Sequence, residues 1–408
     1  MKFPVLLLTC SALAWGVAAL PALAAGAEEG DAAPADAHDQ PSPEIVVTAP
    51  FQRDRQDILS GVSVMQGEQL TQALRPTLGE TLDRNPGVSA TSFGPNASRP
   101  VLRGMQGERV RILTDGIGAF DVSNTSADHA VVINPLLAER IEVLRGPATL
   151  MYGSSAIGGV VNVMDKRIPR SVPDEPVHAD ILATYGSAAS ERSAGGALDV
   201  PLGQSFVVHA DASTLKTANL RIGGFALAPS ARTAALGHAG GEDAGQIAEG
   251  IDFAANAALA GRLPNSAAKT WTAGVGAAFI TGGGSIGASY SHFDSFYGVP
   301  VRLAVRPGEE QEAPRLDMAQ DRFDMRAEIE TGGGCLSAIR ARAGYASYRH
   351  FEVAPDGAIG TAFYNKGLEG RLELVQARRG AWQGASGVQY FSRDFNAVGD
   401  EAFLPRNA

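Results

Sequence analysis

The sharpest candidate for chemistry in this chain is the pair Asp128-His129, set in the run Asn124-Thr125-Ser126-Ala127-Asp128-His129-Ala130-Val131. A carboxylate and an imidazole are borderline ligands that suit Zn²⁺. Adjacent residues on an extended loop diverge, so a metal held here needs further ligands from elsewhere. The dipeptide also reads as a turn in which Asp128 caps backbone N–H groups and His129 packs, and taken alone it favours that plainer reading. The other histidines, among them His178, His209, His238, His292 and His350, are scattered. No Ser or Cys sits in a nucleophile-elbow context. Glu139 and Glu142 have the look of an acid–base pair, but their odd spacing on a strand points them opposite ways. A solvated pair, or an ion pair with Arg140 or Arg145, is the better reading. The residues support no enzyme.

The stretch from Glu139 to Val163, ERIEVLRGPATLMYGSSAIGGVVNV, shows what must position these groups. A polar–apolar strand leads to Arg145-Gly146-Pro147, then Tyr152-Gly153, then Gly158-Gly159 ahead of a second strand. Glycines clustered at strand boundaries mark tight turns and close backbone approach. A phosphate-binding loop would need Lys after the glycines, and a dinucleotide site would need a helix there; neither follows.

At 408 residues the chain exceeds one ordinary domain. Hydrophobic residues make up 45% and charged ones 19%, with 48 glycines, a composition suited to repeated turns and strands. The net charge of -10 offers no basic stripe for phosphates, which argues against a nucleic-acid partner. Residues 1–25 read as a Sec signal peptide: Lys2, an apolar core from Phe3 to Leu20, and Ala22-Leu23-Ala24 as the cleavage signal. Cys10 falls inside it, leaving Cys335 as the one mature cysteine and no internal disulfide. Residues 26–50 read as a disordered acidic leader that ends in the β-branched run Glu44-Ile45-Val46-Val47-Thr48-Ala49. Residues 51–170 fit a compact α+β domain, with helices starting near Gly67 and Leu78 and strands near Val101, Val110, Ile141 and Val160.

After Arg170 the texture becomes strict alternation, as in Phe206, Val208, Ala210 and Ala212 against Val207, His209, Asp211 and Ser213. About nine strands are expected, near 177–187, 191–202, 206–219, 269–280, 285–299, 320–330, 336–353, 362–378 and 382–398. Short glycine turns alternate with long excursions at 219–269 and 301–318. With an export signal this pattern predicts part of an antiparallel transmembrane β-barrel over 171–408. A secreted β-rich binding protein would alternate too, with its polar face in bulk water.

The ordered motifs Asn85-Pro86-Gly87, Leu102-Arg103-Gly104, Leu113-Thr114-Asp115-Gly116, Arg145-Gly146-Pro147, Tyr152-Gly153 and Gly158-Gly159 closely resemble the plug domain of TonB-dependent outer-membrane receptors. That resemblance implies a plug inside a barrel of about twenty-two strands, so this chain is expected to be an N-terminal portion of a longer receptor, or a non-transporting remnant of one. It implies that Glu44 to Ala49 is the TonB box, an extended segment captured by strand addition by TonB and its inner-membrane energising complex. It implies a bacterial outer-membrane location in contact with lipid. The guanidinium of Arg145 is expected to brace the plug against acidic wall residues, with Pro147 fixing the turn. The run SADHAVVINPLLAERIEVLRGPATLMYGS is similar to the zinc-uptake branch, where a plug Asp-His pair joins barrel ligands. On that resemblance Asp128 and His129 bind transported Zn²⁺, with Glu401 as a further candidate, and no resident cofactor is required. The acidic residues Glu309, Glu310, Glu312 and Asp317, and His238, Glu242, Asp243 and Asp400 in other loops, could help capture metal. An iron–siderophore or haem is the alternative cargo.

Overall fold

The computed structural model describes residues 61–240 and 250–400, together with 45–46, 53–54, 402 and 406. The signal peptide and the acidic leader up to Glu44 lie outside the described residues. The first described elements are two-residue strands, β1 (Ile45–Val46) and β2 (Arg53–Asp54), paired antiparallel.

The plug follows. β3 (Val62–Gln66) runs into α1 (Gly67–Ala73), with Glu68 in the first turn and Leu70 buried. Thr77 caps α2 (Leu78–Leu82): its hydroxyl accepts from the Glu80 N–H at 3.4 Å, part of a Thr-x-x-Glu start signal. The hairpin β4 (Val88–Ala90) and β5 (Pro100–Leu102) comes next, then β6 (Val110–Thr114), β7 (Ile117–Gly118), β8 (Arg140–Leu144) and β9 (Gly159–Met164). The main plug sheet has the order β3-β8-β9-β6-β7, with β6 and β9 parallel. Strand β9 is buried along its whole length, which explains a nearly unbroken apolar run where an edge strand would alternate. Its one polar residue, Asn162, accepts a hydrogen bond from the Gly116 N–H at 2.8 Å.

Two of the glycine motifs are tight turns. Arg103 and Gly104 both have positive φ, as do Asp115 and Gly116. Each pair reverses the chain in two residues, between Leu102 and Met105 and between Thr114 and Ile117. Positive φ at both central positions is the geometry that matches strand twist, and the second position favours Gly. Gly158 and Gly159 pack on the first of these turns, where an added Cβ would meet Met105 and Leu102.

The wall is a nine-stranded antiparallel meander in which each strand pairs with its sequence neighbours. It contains β10 (His178–Gly186), β11 (Glu191–Leu202) and β12 (Phe206–Lys216). Between β12 and the next wall strand, β13 (Arg221–Phe225) and β14 (Ala260–Arg262) pair in the long excursion, which also holds α3 (Pro229–His238) and α4 (Phe253–Ala258). The wall continues with β15 (Ala268–Thr281), β16 (Gly284–Gly298), β17 (Arg315–Gly333), β18 (Leu336–Val353), β19 (Ile359–Gln376) and β20 (Ala385–Gly399). All nine expected strands are present. The second excursion is shorter than the sequence suggests: β17 begins at Arg315, so Asp317 and Met318 are strand residues.

The two faces of the wall are inverted relative to a soluble sheet. Facing away from the plug, Val275, Phe279, Ile286, Phe323, Met325, Ile329 and Val388 are each at least half exposed. Facing the plug, His209, Asp211, Gln320, Arg322, Asn365, Glu369 and Arg371 are buried. A soluble sandwich would hide the first set and wet the second; apolar-out, polar-in is the alternation of a membrane barrel.

The plug lies hard against this polar face. A Cβ on Gly276 would stand 1.8 Å from the Arg167 carbonyl oxygen, and one on Gly367 would stand 1.8 Å from the Phe120 ring. Gly276→Val and Gly367→Val should therefore each lower stability by about 1–3 kcal/mol through overpacking. Gly370→Val, on the same strand as Gly367 but with nothing within 4 Å, should be near neutral. Thermal unfolding and limited proteolysis of the plug would show the contrast.

Candidate functional site

Residues 119–134 form an irregular loop between β7 and β8, and internal hydrogen bonds hold its shape. Asp121 accepts from the Ser123 N–H and hydroxyl at 3.1 and 2.6 Å, and from the Val132 N–H at 3.1 Å. Tyr297, fully buried on β16, donates to the Asp128 carbonyl at 2.7 Å and accepts from the Ala130 N–H at 2.9 Å. These two bonds bracket His129 and fix where it points.

His129 is fully buried. Its Nδ1 lies 2.9 Å from the Thr125 hydroxyl and 3.1 Å from the Val122 carbonyl oxygen. The Thr125 hydroxyl already donates to that carbonyl at 2.7 Å, so towards the imidazole it accepts. Both neighbours of Nδ1 are acceptors, which assigns a ring proton to Nδ1. Nε2 faces the Glu352 carboxylate at 3.0 Å. His350 stacks edge-on, with ring centroids 4.4 Å apart, its Nδ1 3.1 Å from the Tyr348 hydroxyl. Its Nε2 is buried with no hydrogen-bond partner. Phe363 closes the other side of both imidazoles, at 5.1 and 5.2 Å.

One ligand atom each from His129, His350 and Glu352 lie within 4.8 Å of one another. Two imidazoles and a carboxylate are a donor set that suits Zn²⁺ or another borderline divalent ion. The Nδ1–H of His129 directed at a backbone carbonyl is the arrangement that orients metal-ligating histidines and raises their basicity.

The structure thus joins His129 to His350 and Glu352. The Asp128 carboxylate instead accepts from the Ser126 hydroxyl, much as the turn reading of the dipeptide has it. His350 and Glu352 escaped notice in the sequence because they look like one scattered histidine and one acidic residue. Their signal is the i, i+2 spacing of His350 and Glu352, with Tyr348 before them, on the plug-facing side of a strand end. The acidic loop residues stay apart from this group. Glu309 accepts from the Val305 and Arg306 N–H groups, and Asp317 is exposed on β17. His238 packs near Phe253. Glu242, Asp243 and Glu401 lie outside the described residues, as do Glu44, Val47, Thr48 and Ala49 of the TonB-box segment; Ile45 and Val46 are strand β1.

Arg145 of the plug motif departs from expectation. Arg145 meets no acidic wall residue among those described: it donates to the Ser63 hydroxyl at 3.2 Å, and burial beside Arg103 holds its guanidinium below the usual arginine range. Acidic wall residues are met by other arginines. Arg111 donates to Glu369 at 2.7 Å, and Arg167 grips Asp211 through two bonds of 2.9 Å. Burial opposes the Arg167 charge, but Asp165 and Asp211 outweigh it and hold the group above its usual range. Tyr152 is buried under the Arg371 guanidinium, 4.5 Å from the ring centre, and burial pushes its hydroxyl up to about 12. Glu142 is buried and not solvated, its carboxylate 3.3 Å from Arg140 Nε.

Comparison with known proteins agrees with this architecture. Residues 54–160 match the family described as the TonB-dependent receptor plug domain. Among solved structures, the siderophore receptor PirA from Pseudomonas aeruginosa is 19% identical, with a TM-score of 0.55 over 83% of this chain and 49% of that one. The copper transporter OprC is 16% identical, with a TM-score of 0.58 over 82% and 46%. A variant of the ferric enterobactin receptor PfeA from Pseudomonas aeruginosa, in complex with enterobactin, is 16% identical, with a TM-score of 0.56 over 83% and 50%. The chain spans about half the length of these structures. Residues 54–160 thus match a TonB-dependent receptor plug domain, and the plug seated against its polar-faced wall has the fold of these receptor structures.

Proposed function

We propose that this protein serves in the bacterial outer membrane as an energy-coupled import receptor for a divalent metal ion, most specifically zinc, which His129, His350 and Glu352 hold at the plug–wall boundary. The observation that carries the reading is the buried, unpartnered Nε2 of His350, set beside the pair that the His129 Nε2 makes with the Glu352 carboxylate. An unpartnered buried imidazole nitrogen is costly in a dry site. A cation among the three would give that nitrogen a partner.

The position suits capture from outside. The turn between Leu202 and Phe206 lies at the opposite end of the wall from both long excursions, and longer loops mark the extracellular side. His350 and Glu352 are near the end of β18, at the long-loop end of the wall. The segment from Glu44 to Ala49 would serve as the handle for TonB. Its strand β1 is already paired with β2, so capture by strand addition exchanges one short ladder for another.

A ferric chelate is the competing cargo, favoured by the siderophore receptors among the structural matches. Titration calorimetry of the purified full-length receptor with Zn²⁺, Cu²⁺ and a ferric catecholate separates the readings. Zn²⁺ should bind, and His129→Ala, His350→Ala or Glu352→Gln should each weaken it on the order of 10-fold or more. Asp128→Ala should weaken it far less. Unchanged zinc affinity in the first three variants, or binding of the catecholate alone, would overturn the assignment.

Deleting residues 44–49 should abolish uptake of radiolabelled zinc by cells while leaving surface binding intact. Uptake that survives the deletion would show that the handle lies elsewhere.

A further inference from the structure

We infer that the outward face of the wall carries a binding site for a phosphorylated, anionic lipid headgroup of the outer leaflet, built on Arg192, Lys216 and Lys269. The inference rests on the outer-membrane reading above, since it needs this face to meet lipid.

The register places the three cations side by side. Arg192 on β11 is directly opposite Lys216 on β12, which is directly opposite Lys269 on β15. All three are exposed and face away from the plug. Directly opposed residues on neighbouring strands are roughly 5 Å apart at Cβ, and like charges so placed repel. No described carboxylate forms an ion pair with any of them; on this face Asp294 is opposite Trp271, diagonal to Lys269, and Asp317 stands beyond Phe296. In a chain of net charge -10, three neighbouring unpaired cations are a local reversal that calls for an anion.

The surroundings identify its source. Lys216, Lys269, Phe296 and Arg315 line a cleft of about 550 Å³ at this rim. An aromatic ring among cations suits an amphiphile better than a free ion. Below Lys269 on the same face of β15 come Trp271, Val275 and Phe279, 40, 54 and 50% exposed. Trp271 to Phe279 spans roughly 27 Å along the strand at about 3.4 Å per residue. Allowing for strand tilt, that approaches the roughly 25 Å apolar band of a membrane barrel, bounded by aromatic girdles. Phe279 is directly opposite Phe206 at the short-turn end, which supplies the lower girdle. The cationic row therefore stands one step outside the upper aromatic edge, at the level of lipid phosphates. Two phosphates bridging the row would turn a repulsive arrangement into charge-assisted hydrogen bonds. A soluble phosphate would gain nothing from the apolar band beneath.

The test uses full-length receptor purified from outer membranes, with native mass spectrometry after incubation with bisphosphorylated lipid A, dephosphorylated lipid A or inorganic phosphate. The bisphosphorylated lipid should be retained, the dephosphorylated one should not, and inorganic phosphate should fail to displace it. Lys216→Gln/Lys269→Gln should weaken retention on the order of tenfold or more while leaving Zn²⁺ affinity unchanged. Lys366→Gln, an outward lysine opposite Asp394, should have no effect. Equal retention in the double variant, or displacement by inorganic phosphate, would overturn the headgroup site. Flotation of the receptor with lipid vesicles reads the membrane assignment independently. A protein that floats yet shows no phosphate-dependent retention loses only this inference, whereas one that does not float loses both.

Discussion

Everything in this molecule depends on how an irregular backbone can stay dry. The plug loop from Gly118 to Asp121 carries carbonyl groups that no helix or sheet satisfies, and it is enclosed by a wall. A buried backbone group without a partner costs as much as a lost hydrogen bond. The wall supplies the partners. Arg322 donates to the Gly118 carbonyl at 2.8 Å, Gln320 to Ala119 at 2.9 Å, and Asn365 to Phe120 at 2.7 Å. Arg326 donates to the Ile168 carbonyl at 2.7 Å. Non-helical backbone at membrane depth is tolerated only where protein or water completes it. The polar inner face is thus the plug's missing hydrogen-bond set, and the wall's alternation follows from it.

That requirement also explains why the fold was so legible. A strand that must show lipid one face and a plug the other has no freedom in its period. Phe206 to Lys216 alternates without a break, and its register and burial follow the alternation residue by residue. In the plug, legibility came from local rules instead. Glycines clustered at strand boundaries marked tight turns, and a helix start was expected near Leu78, where Thr77 caps α2. Arg145 was harder. Its type suggested an acidic partner, and it has a serine hydroxyl, because the partner of a buried arginine is set by which strands lie adjacent, which spacing does not encode. Arg111 and Arg167 meet the wall carboxylates for the same topological reason.

The site was half legible. His129 could be found because plug residues of its kind sit in a recognisable run. His350 and Glu352 are more than two hundred residues away in sequence, joined to it only by the seating of the plug. Tyr297 shows the coupling most directly. It lies on β16, yet one hydroxyl holds the loop on both sides of His129 through Asp128 and Ala130. No window of sequence contains that constraint. The site's geometry is a property of the interface, so whatever moves the plug relative to the wall also alters the ligand set.

The topology indicates where such movement would start under the proposed coupling. Strand β3 is an edge of the plug sheet, paired only with β8, whereas β9 sits at the centre between β8 and β6. The chain entering β3 is the one that carries β1 and β2, so a pull on that segment meets the β3–β8 ladder first. That ladder opens without disturbing the parallel centre. At the other end of the plug, Arg167 is clamped to Asp211 and Arg170 to Asp115, within a few residues of the first wall strand. These ion pairs are half-buried or deeper, where breaking one partner leaves an uncompensated charge and costs several kcal/mol. The plug is therefore weakly held at its entry and firmly held at its exit. Force applied at the handle would peel β3 and α1 before it could draw out the clamped end. In β8, the first strand beyond β3, Glu142 and Arg140 form an ion pair that would reach water along with buried Arg145, which donates to Ser63 of β3. Peeling would thereby become easier once it has begun, since hydrating that pair restores solvation that the closed plug withholds.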